Sequence, residues 1–331
     1  MEPLAWPVFG HNRARDLLTR SLCSGALHHG YLFFGPSHIG KTTAARWFVR
    51  SASCLEPNEG VICGVCFSCK SFASGVHPDI IWKDAGDASL GVGEVRALVG
   101  ELSRSALLGR MRVAVIGNAH RMTVAAQNAF LKMFEEPCAK RLIVLLADQP
   151  LLPTLLSRAQ QICFRLVPVE EIAKNLRAAG ADDETSRELA LSSAGRPGAA
   201  MALFHDRQAW KLYESRRAAL GSLLAGESIT FNTFAIGLLG KNLDDARVEW
   251  AALTETWIGV MREMYCAKAG VSDMAGEYVR RNFSGILERM PMGEVARWIR
   301  ELLTLRAQVA ANVDPRFALE NFYLTLHSHL T

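Results

Sequence analysis

Long apolar runs are missing from this sequence of 331 residues. The longest, such as Leu142 to Ala147, fall far short of the roughly 20 residues a membrane-spanning helix needs. Strong charge of one sign is missing too. The 37 Lys plus Arg against 33 Asp plus Glu leave a formal +4, so any affinity for nucleic acid has to come from a basic face and not from a basic total. There is no internal repeat and no low-complexity tract. With 50% hydrophobic and 21% charged residues, intrinsic disorder is excluded. The segment Met1 to Gly10 has an acidic second residue, two prolines and no basic n-region, so no secretory signal is expected and a cytoplasmic chain is. A single hydrophobic core stops growing near roughly 250 to 300 residues, which points to two or three domains.

What is present divides the chain in two. The first half alternates short apolar runs with amphipathic stretches, the pattern of a parallel α/β sheet flanked by helices. Strands are expected at Tyr31 to Phe34, Asp79 to Trp82, Arg112 to Ile116, Leu142 to Leu146 and Gln161 to Leu166. Several lack polar alternation, as strands buried on both faces do. Helices are expected at Asn12 to Ser24, Thr42 to Ser53, Val92 to Ser105, Thr123 to Glu136 and Leu151 to Ser157. After Pro168 only helical patterns remain. Among them Val295, Trp298, Ile299, Leu302 and Leu303 fall at i, i+3, i+4, i+7 and i+8, a stripe that reads as core or subunit contact.

Gly35-Pro-Ser-His-Ile-Gly40-Lys41-Thr42 fits G-x-x-x-x-G-K-[ST] between an expected strand and an expected helix. Gly35 and Gly40 let backbone N–H groups turn toward phosphate, Lys41 meets the β/γ-phosphate charge, and Thr42 can ligate Mg²⁺, with Thr43 beside it. A working P-loop NTPase also needs carboxylates at the end of another buried strand. Here that strand, Arg112 to Ile116, runs into Gly117-Asn118-Ala119-His120, which carries none. Asn118 is no base at neutral pH. ATP/Mg²⁺ binding is therefore expected to be possible and hydrolysis is not expected.

Cysteine is sparse and clustered. Of eight, Cys54, Cys63, Cys66 and Cys69 form C-x8-C-x2-C-x2-C, a thiolate set suited to a closed tetrahedral structural Zn²⁺ site. His77 follows in His77-Pro78-Asp79, but four thiolates already complete such a shell, so a turn into the next strand is expected there. Cys23, Cys138, Cys163 and Cys266 read as ordinary buried thiols. Glu135-Glu136-Pro137 puts two carboxylates at a helix end, where they oppose its dipole and call for a cation.

Together these residues resemble the clamp-loader subunits of bacterial DNA polymerase III, members of the AAA+ superfamily. The likeness rests on Gly10-His-Asn12, the P-loop, the four-cysteine insert, His77-Pro78-Asp79, Asn128-Ala-Phe-Leu-Lys-Met-Phe-Glu-Glu-Pro137, Ser157-Arg158, Gly195-Arg-Pro-Gly-Ala-Ala200 and Asn312-Val-Asp-Pro-Arg-Phe-Ala-Leu-Glu320. The resemblance implies an AAA+ ATPase-like domain over 1–167 with a zinc module at 54–69, a helical lid over 168–207 and a helical collar over 208–331. It implies gamma/tau and delta subunits as partners through the collar, together with a sliding clamp and primed DNA, and no membrane. It also implies that Arg158 reaches in trans to a neighbouring subunit's ATP as an arginine finger. Ala159 departs from the Cys usual after that arginine. The motor subunits of the family carry a carboxylate pair where Gly117 and Asn118 stand, and a lid arginine where Gly198 stands. Both departures favour a non-hydrolysing subunit that closes the ring and helps load the clamp during replication.

Two other readings stay open on the residues. The chain can be a gamma/tau-like motor that hydrolyses ATP itself, with a displaced acid such as Asp148 or Asp84. It can also be a zinc-dependent nucleic-acid binder using Lys70 and Lys83.

Overall fold

The computed structural model describes residues 6–58, 62–86, 89–108, 110–135, 140–225, 231–240, 242–271 and 274–330. They fall into two compact units. The first is Met1–Glu171 with Arg196–Ala199, and the second is Ile172–Gly195 with Ala200–Thr331.

The first unit runs α1 (Asn12–Ser24), β1 (Gly30–Phe34), α2 (Lys41–Ser53), α3 (Phe67–Ala73), β2 (Ile80–Asp84), α4 (Val92–Leu102), β3 (Arg112–Gly117), a 3₁₀ turn (Ala119–Arg121), α5 (Val124–Glu135), β4 (Arg141–Ala147), α6 (Pro153–Leu156) and β5 (Gln160–Cys163). The strands form one parallel sheet in the order β2-β3-β4-β1-β5. Its two faces read directly from strand period. Tyr31, Phe33, Val113, Val115, Leu142 and Val144 bury against α1 and α2 through Leu18 and Phe48, while Leu32, Ala114, Ile116, Ile143 and Leu145 bury on the other face with Val95, Leu98 and Phe130. All loops that follow the carboxyl ends of the strands therefore meet at one edge, where open α/β sheets place their ligands.

The expected fold class holds, with local corrections. The fifth strand is Gln160–Cys163 rather than Gln161 to Leu166, because the paired register with β1 ends at Phe34↔Cys163 and leaves Leu166 exposed. The periodicity missed α3, whose seven residues are too few to show one.

The second unit is helical: α7 (Val169–Ala178), which begins just before it, then α8 (Asp183–Ser192), α9 (Pro197–His205), whose first three residues belong to the first unit, α10 (Arg207–Leu224), α11 (Phe231–Leu239), α12 (Leu243–Lys268), α13 (Glu277–Arg289), α14 (Met292–Ala310) and α15 (Pro315–Leu330). Trp250, Trp257, Phe283, Trp298 and Phe322 are buried in its core. Of the expected stripe on α14, Val295, Trp298 and Leu302 are buried, but Leu303 is 49% exposed. The 3.6-residue period carries i+8 to the stripe's edge, and Leu305 and Val309 continue the buried face instead.

Arg217, 1% exposed, pairs with Glu188 at 2.6 Å and lies over the rings of Tyr278 and Tyr213. Nearby, Glu263 accepts a hydrogen bond from the N–H of Gly276 at 3.0 Å. Burial pushes the Glu263 carboxyl up to about 7 from an ordinary 4.5, although the Gly276 amide and Arg217 pull the other way. The folded state therefore holds a proton that the unfolded chain releases. The stabilisation is fully present below about pH 4.5 and is lost as pH rises through 7, for a total near 3 kcal/mol. Glu263→Gln keeps the acceptor for Gly276 and should flatten that slope and raise stability at pH 8. Urea melts between pH 5 and 8 read this, and parallel curves for the two proteins refute it.

Candidate functional site

The P-loop joins β1 to α2 in the conformation phosphate binding requires. Gly35 and Gly40 have φ of 154° and 105°, and His38 between them has 58°. A Cβ on Gly35 would lie 2.3 Å from the carbonyl oxygen of Phe164, and one on Gly40 would lie 2.4 Å from Val8, so neither position admits a side chain. Gly40 caps the 13-residue helix α2, whose first N–H groups and dipole point into a cavity of about 480 Å³. Lys41, Thr42 and Thr43 line that cavity, along with Ser37, Asp84, Asn118, His120 and Asp148. The donor set fits a nucleotide's phosphates, for which Lys41 would supply the counter-charge and Thr42 the hydroxyl for Mg²⁺.

Lys41 is 7% exposed and fully engaged. Its ammonium donates to the carbonyls of Gly35 at 2.8 Å and Pro36 at 2.7 Å and pairs with Asp148 at 2.7 Å. Burial lowers its pKa, and the Asp148 carboxylate works against that shift. Asp148 is partly buried, which opposes its charge, yet Lys41 and the Ser37 hydroxyl bring its carboxyl below the ordinary range.

The end of β3 explains where the missing acid went. A Cβ on Gly117 would stand 2.7 Å from the carboxyl carbon of Asp84, which belongs to the neighbouring strand. Asn118, at φ 50°, donates its side-chain amide to the same carboxylate at 2.9 Å. An acid thus reaches this edge of the sheet from β2 rather than β3. Gly198 is equally constrained, since its N–H donates to the carbonyl of His38 at 2.8 Å and a Cβ there would lie 2.6 Å from that oxygen.

The four cysteines of the insert converge. Their sulfurs all lie within 4.8 Å of one another, with Cys54 at 3.6 Å from Cys63, 3.9 Å from Cys66 and 3.7 Å from Cys69. Zn–S bonds of about 2.3 Å in a tetrahedron set sulfurs about 3.8 Å apart, so the arrangement fits. The N–H of Cys63 donates to the Cys54 sulfur and that of Cys66 to the Cys63 sulfur, and burial pushes the Cys54 thiol up although the Cys63 amide works against it. Burial pushes the Cys69 thiol up to about 12; burial also opposes charge on Cys66, but backbone amides and neighbouring thiols bring it down to about 6.

His77 stays out of the cluster. Its Nδ1 accepts from the N–H of Asp79 at 3.1 Å and its Nε2 meets the Ser68 hydroxyl at 3.0 Å, so both ring nitrogens are spent. Asp79 in turn accepts from the N–H groups of Leu107 and Leu108 at 2.7 and 2.8 Å. Outside the cluster, Cys23 and Cys163 are exposed rather than buried, and Cys138 lies outside the described residues.

Arg158 follows α6. Its guanidinium pairs with Glu135 at 3.1 Å and donates to the carbonyl of Thr154 at 3.0 Å, and its side chain is 38% exposed. It is the cation that the carboxylates ending α5 called for, although Glu136 and Pro137 themselves lie outside the described residues. Only the fold reveals the pairing, because 23 positions separate the two residues and no local period links them.

Residues 10–168 match the family described as DNA polymerase III, delta subunit. The chain is 38% identical over 140 residues to the DNA polymerase III subunit delta' of Pseudomonas aeruginosa, covering 41% of this chain and 43% of that protein. Against the delta' subunit of Bacillus subtilis the identity is 34% over 166 residues, half of each chain. Against the gamma/tau subunit of Mycobacterium bovis it is 31% over 255 residues, 72% of this chain and 41% of that one. The chain thus spans half or less of the length of these relatives. Among the described residues no helix is long and apolar enough to cross a membrane.

Proposed function

We infer that this chain, a DNA polymerase III clamp-loader subunit of the AAA+ type, is the non-hydrolysing member of its assembly, in the manner of a delta-prime subunit. One observation carries the reading. β3, separated from the P-loop strand β1 by β4, ends at Gly117 with Asn118 following, and the space that a carboxylate at position 117 would start from is filled by Asp84. With no acid on β3 and no arginine at Gly198, the cradle can hold phosphate without polarising a water for attack. The role left to the chain is to close the ring and supply Arg158 to a neighbour's ATP. Residues 168–207 act as lid and 208–331 as collar, meeting gamma/tau and delta subunits, while the sliding clamp and primed DNA are engaged by the assembly. The cysteine cluster, on this reading, holds a structural Zn²⁺.

The test is ATP turnover by the purified chain alone, with Lys41→Ala as the blank. Turnover indistinguishable from that blank is expected. Hydrolysis abolished by Lys41→Ala would instead support the gamma/tau-like motor. That second reading has its own observation, since Asp84 and Asp148 both line the P-loop cavity.

A further inference from the structure

An ammonium has three protons to donate, and all three of Lys41's are in use. Two go to carbonyls of its own loop and the third to Asp148. The second carboxylate oxygen of Asp148 accepts from Ser37, on the opposite arm of the loop. Asp148 therefore spans the P-loop as a phosphoryl group would, with one oxygen on the lysine and one on a loop donor. It is also fixed in place: it directly follows β4, and its backbone N–H donates to His120 Nδ1 at 3.3 Å. We propose that Asp148 is a resident anion of the phosphate loop, which neutralises Lys41 and must be displaced before a nucleoside triphosphate can bind.

The energetics favour exclusion twice. Lys41 is desolvated already, at 8% side-chain exposure against 24% for Asp148, so breaking the pair forfeits the contact that offsets the cost of burying the ammonium. Once displaced, the carboxylate remains within the same cavity and repels the incoming phosphates. The idea rests on the reading of residues 35–42 as a nucleotide cradle, but not on any role in an assembly, so it is tested on the isolated chain.

The measurement is equilibrium binding of a fluorescent N-methylanthraniloyl ATP with Mg²⁺, with inorganic triphosphate as competitor. Asp148→Asn should lower Kd at least tenfold relative to wild type, and adding Lys41→Ala should remove that gain. Glu101→Gln, an exposed carboxylate on α4 outside the cavity, reports what loss of one negative charge does by itself and should change Kd less than threefold. Asp148→Thr is a second neutral variant should the first fail to fold by circular dichroism. Three results overturn the proposal: submicromolar binding by wild type, no tightening in either folded Asp148 variant, or equal tightening in Glu101→Gln. Failure here leaves the clamp-loader reading intact, because that stands on ATP turnover.

Discussion

Arg158→Ala is expected to lower the ATPase of gamma/tau subunits reconstituted with this chain by about 10³-fold or more at the site it faces, while the ring still forms. An arginine delivered in trans to a transferring phosphoryl group is worth about 10³ to 10⁵ in rate, or about 4 to 7 kcal/mol of transition-state stabilisation. What holds Arg158 in the isolated chain is far weaker. Its partner Glu135 is 50% exposed and Arg158 is itself 38% exposed. Such pairs contribute roughly 0 to 1 kcal/mol. If Arg158 acts in trans as proposed, release from Glu135 would cost little beside the gain at a neighbouring phosphate, and the carboxylate would hold the guanidinium until then.

Three variants separate this from a structural role. Arg158→Ala should change the chain's own unfolding free energy by less than about 1 kcal/mol. Arg158→Lys should recover only part of the rate, since an ammonium lacks the planar fork that meets two oxygens at once. Glu135→Gln frees the arginine and should not reduce turnover. Loss of rate in Glu135→Gln equal to that in Arg158→Ala would mean that the pair stabilises α5 and α6 instead.

The parts of the site that sequence made legible are those built from consecutive backbone. The P-loop depends on two glycines and a lysine at fixed spacing, and the cysteine knuckles on tight turns, so both show in consecutive residues; the structure gives Gly35 and Gly40 positive φ and gathers the four sulfurs within 4.8 Å. The sheet was legible for a similar reason, because β3 and β4 are buried on both faces and read as unbroken apolar runs. What was hidden depends on register between strands far apart in sequence. Asp84 faces Gly117 only because β2 pairs with β3, and Asp148 reaches Lys41 only because β4 lies beside β1. The sequence alone could name these two acids as candidates but could not say that one backs the empty position on β3 while the other sits on the lysine.

The second large effect concerns the metal. Protein purified without added zinc is expected to carry about one Zn²⁺ per chain, and Cys66→Ala should lose it. Among its described residues the segment has little apolar packing to hold it. Its buried cluster consists of Cys54, Ile62 and Cys69, with Cys63 and Cys66 packed against them, which is far too little apolar surface to order a loop. Zinc binding in small modules is worth about 10 to 16 kcal/mol at neutral pH, and that free energy is folding free energy. Removing one of four thiolates should cost more than the roughly 10 to 100-fold lost when only an outer-shell partner is changed. Because the cysteines would bind the metal as thiolates, protons would compete with it, so affinity should fall as pH falls. The consequences extend past the knuckle, since Arg110 donates to the Cys54 carbonyl at 2.6 Å and Ser68 to the Ser53 carbonyl at 2.7 Å at the end of α2. Chelation should therefore expose the four thiols to alkylation and open residues 54–69 to protease, with a lower melting temperature for the first unit. A metal-free chain with unchanged melting and protected thiols would show that these cysteines are an apolar plug and not a metal centre.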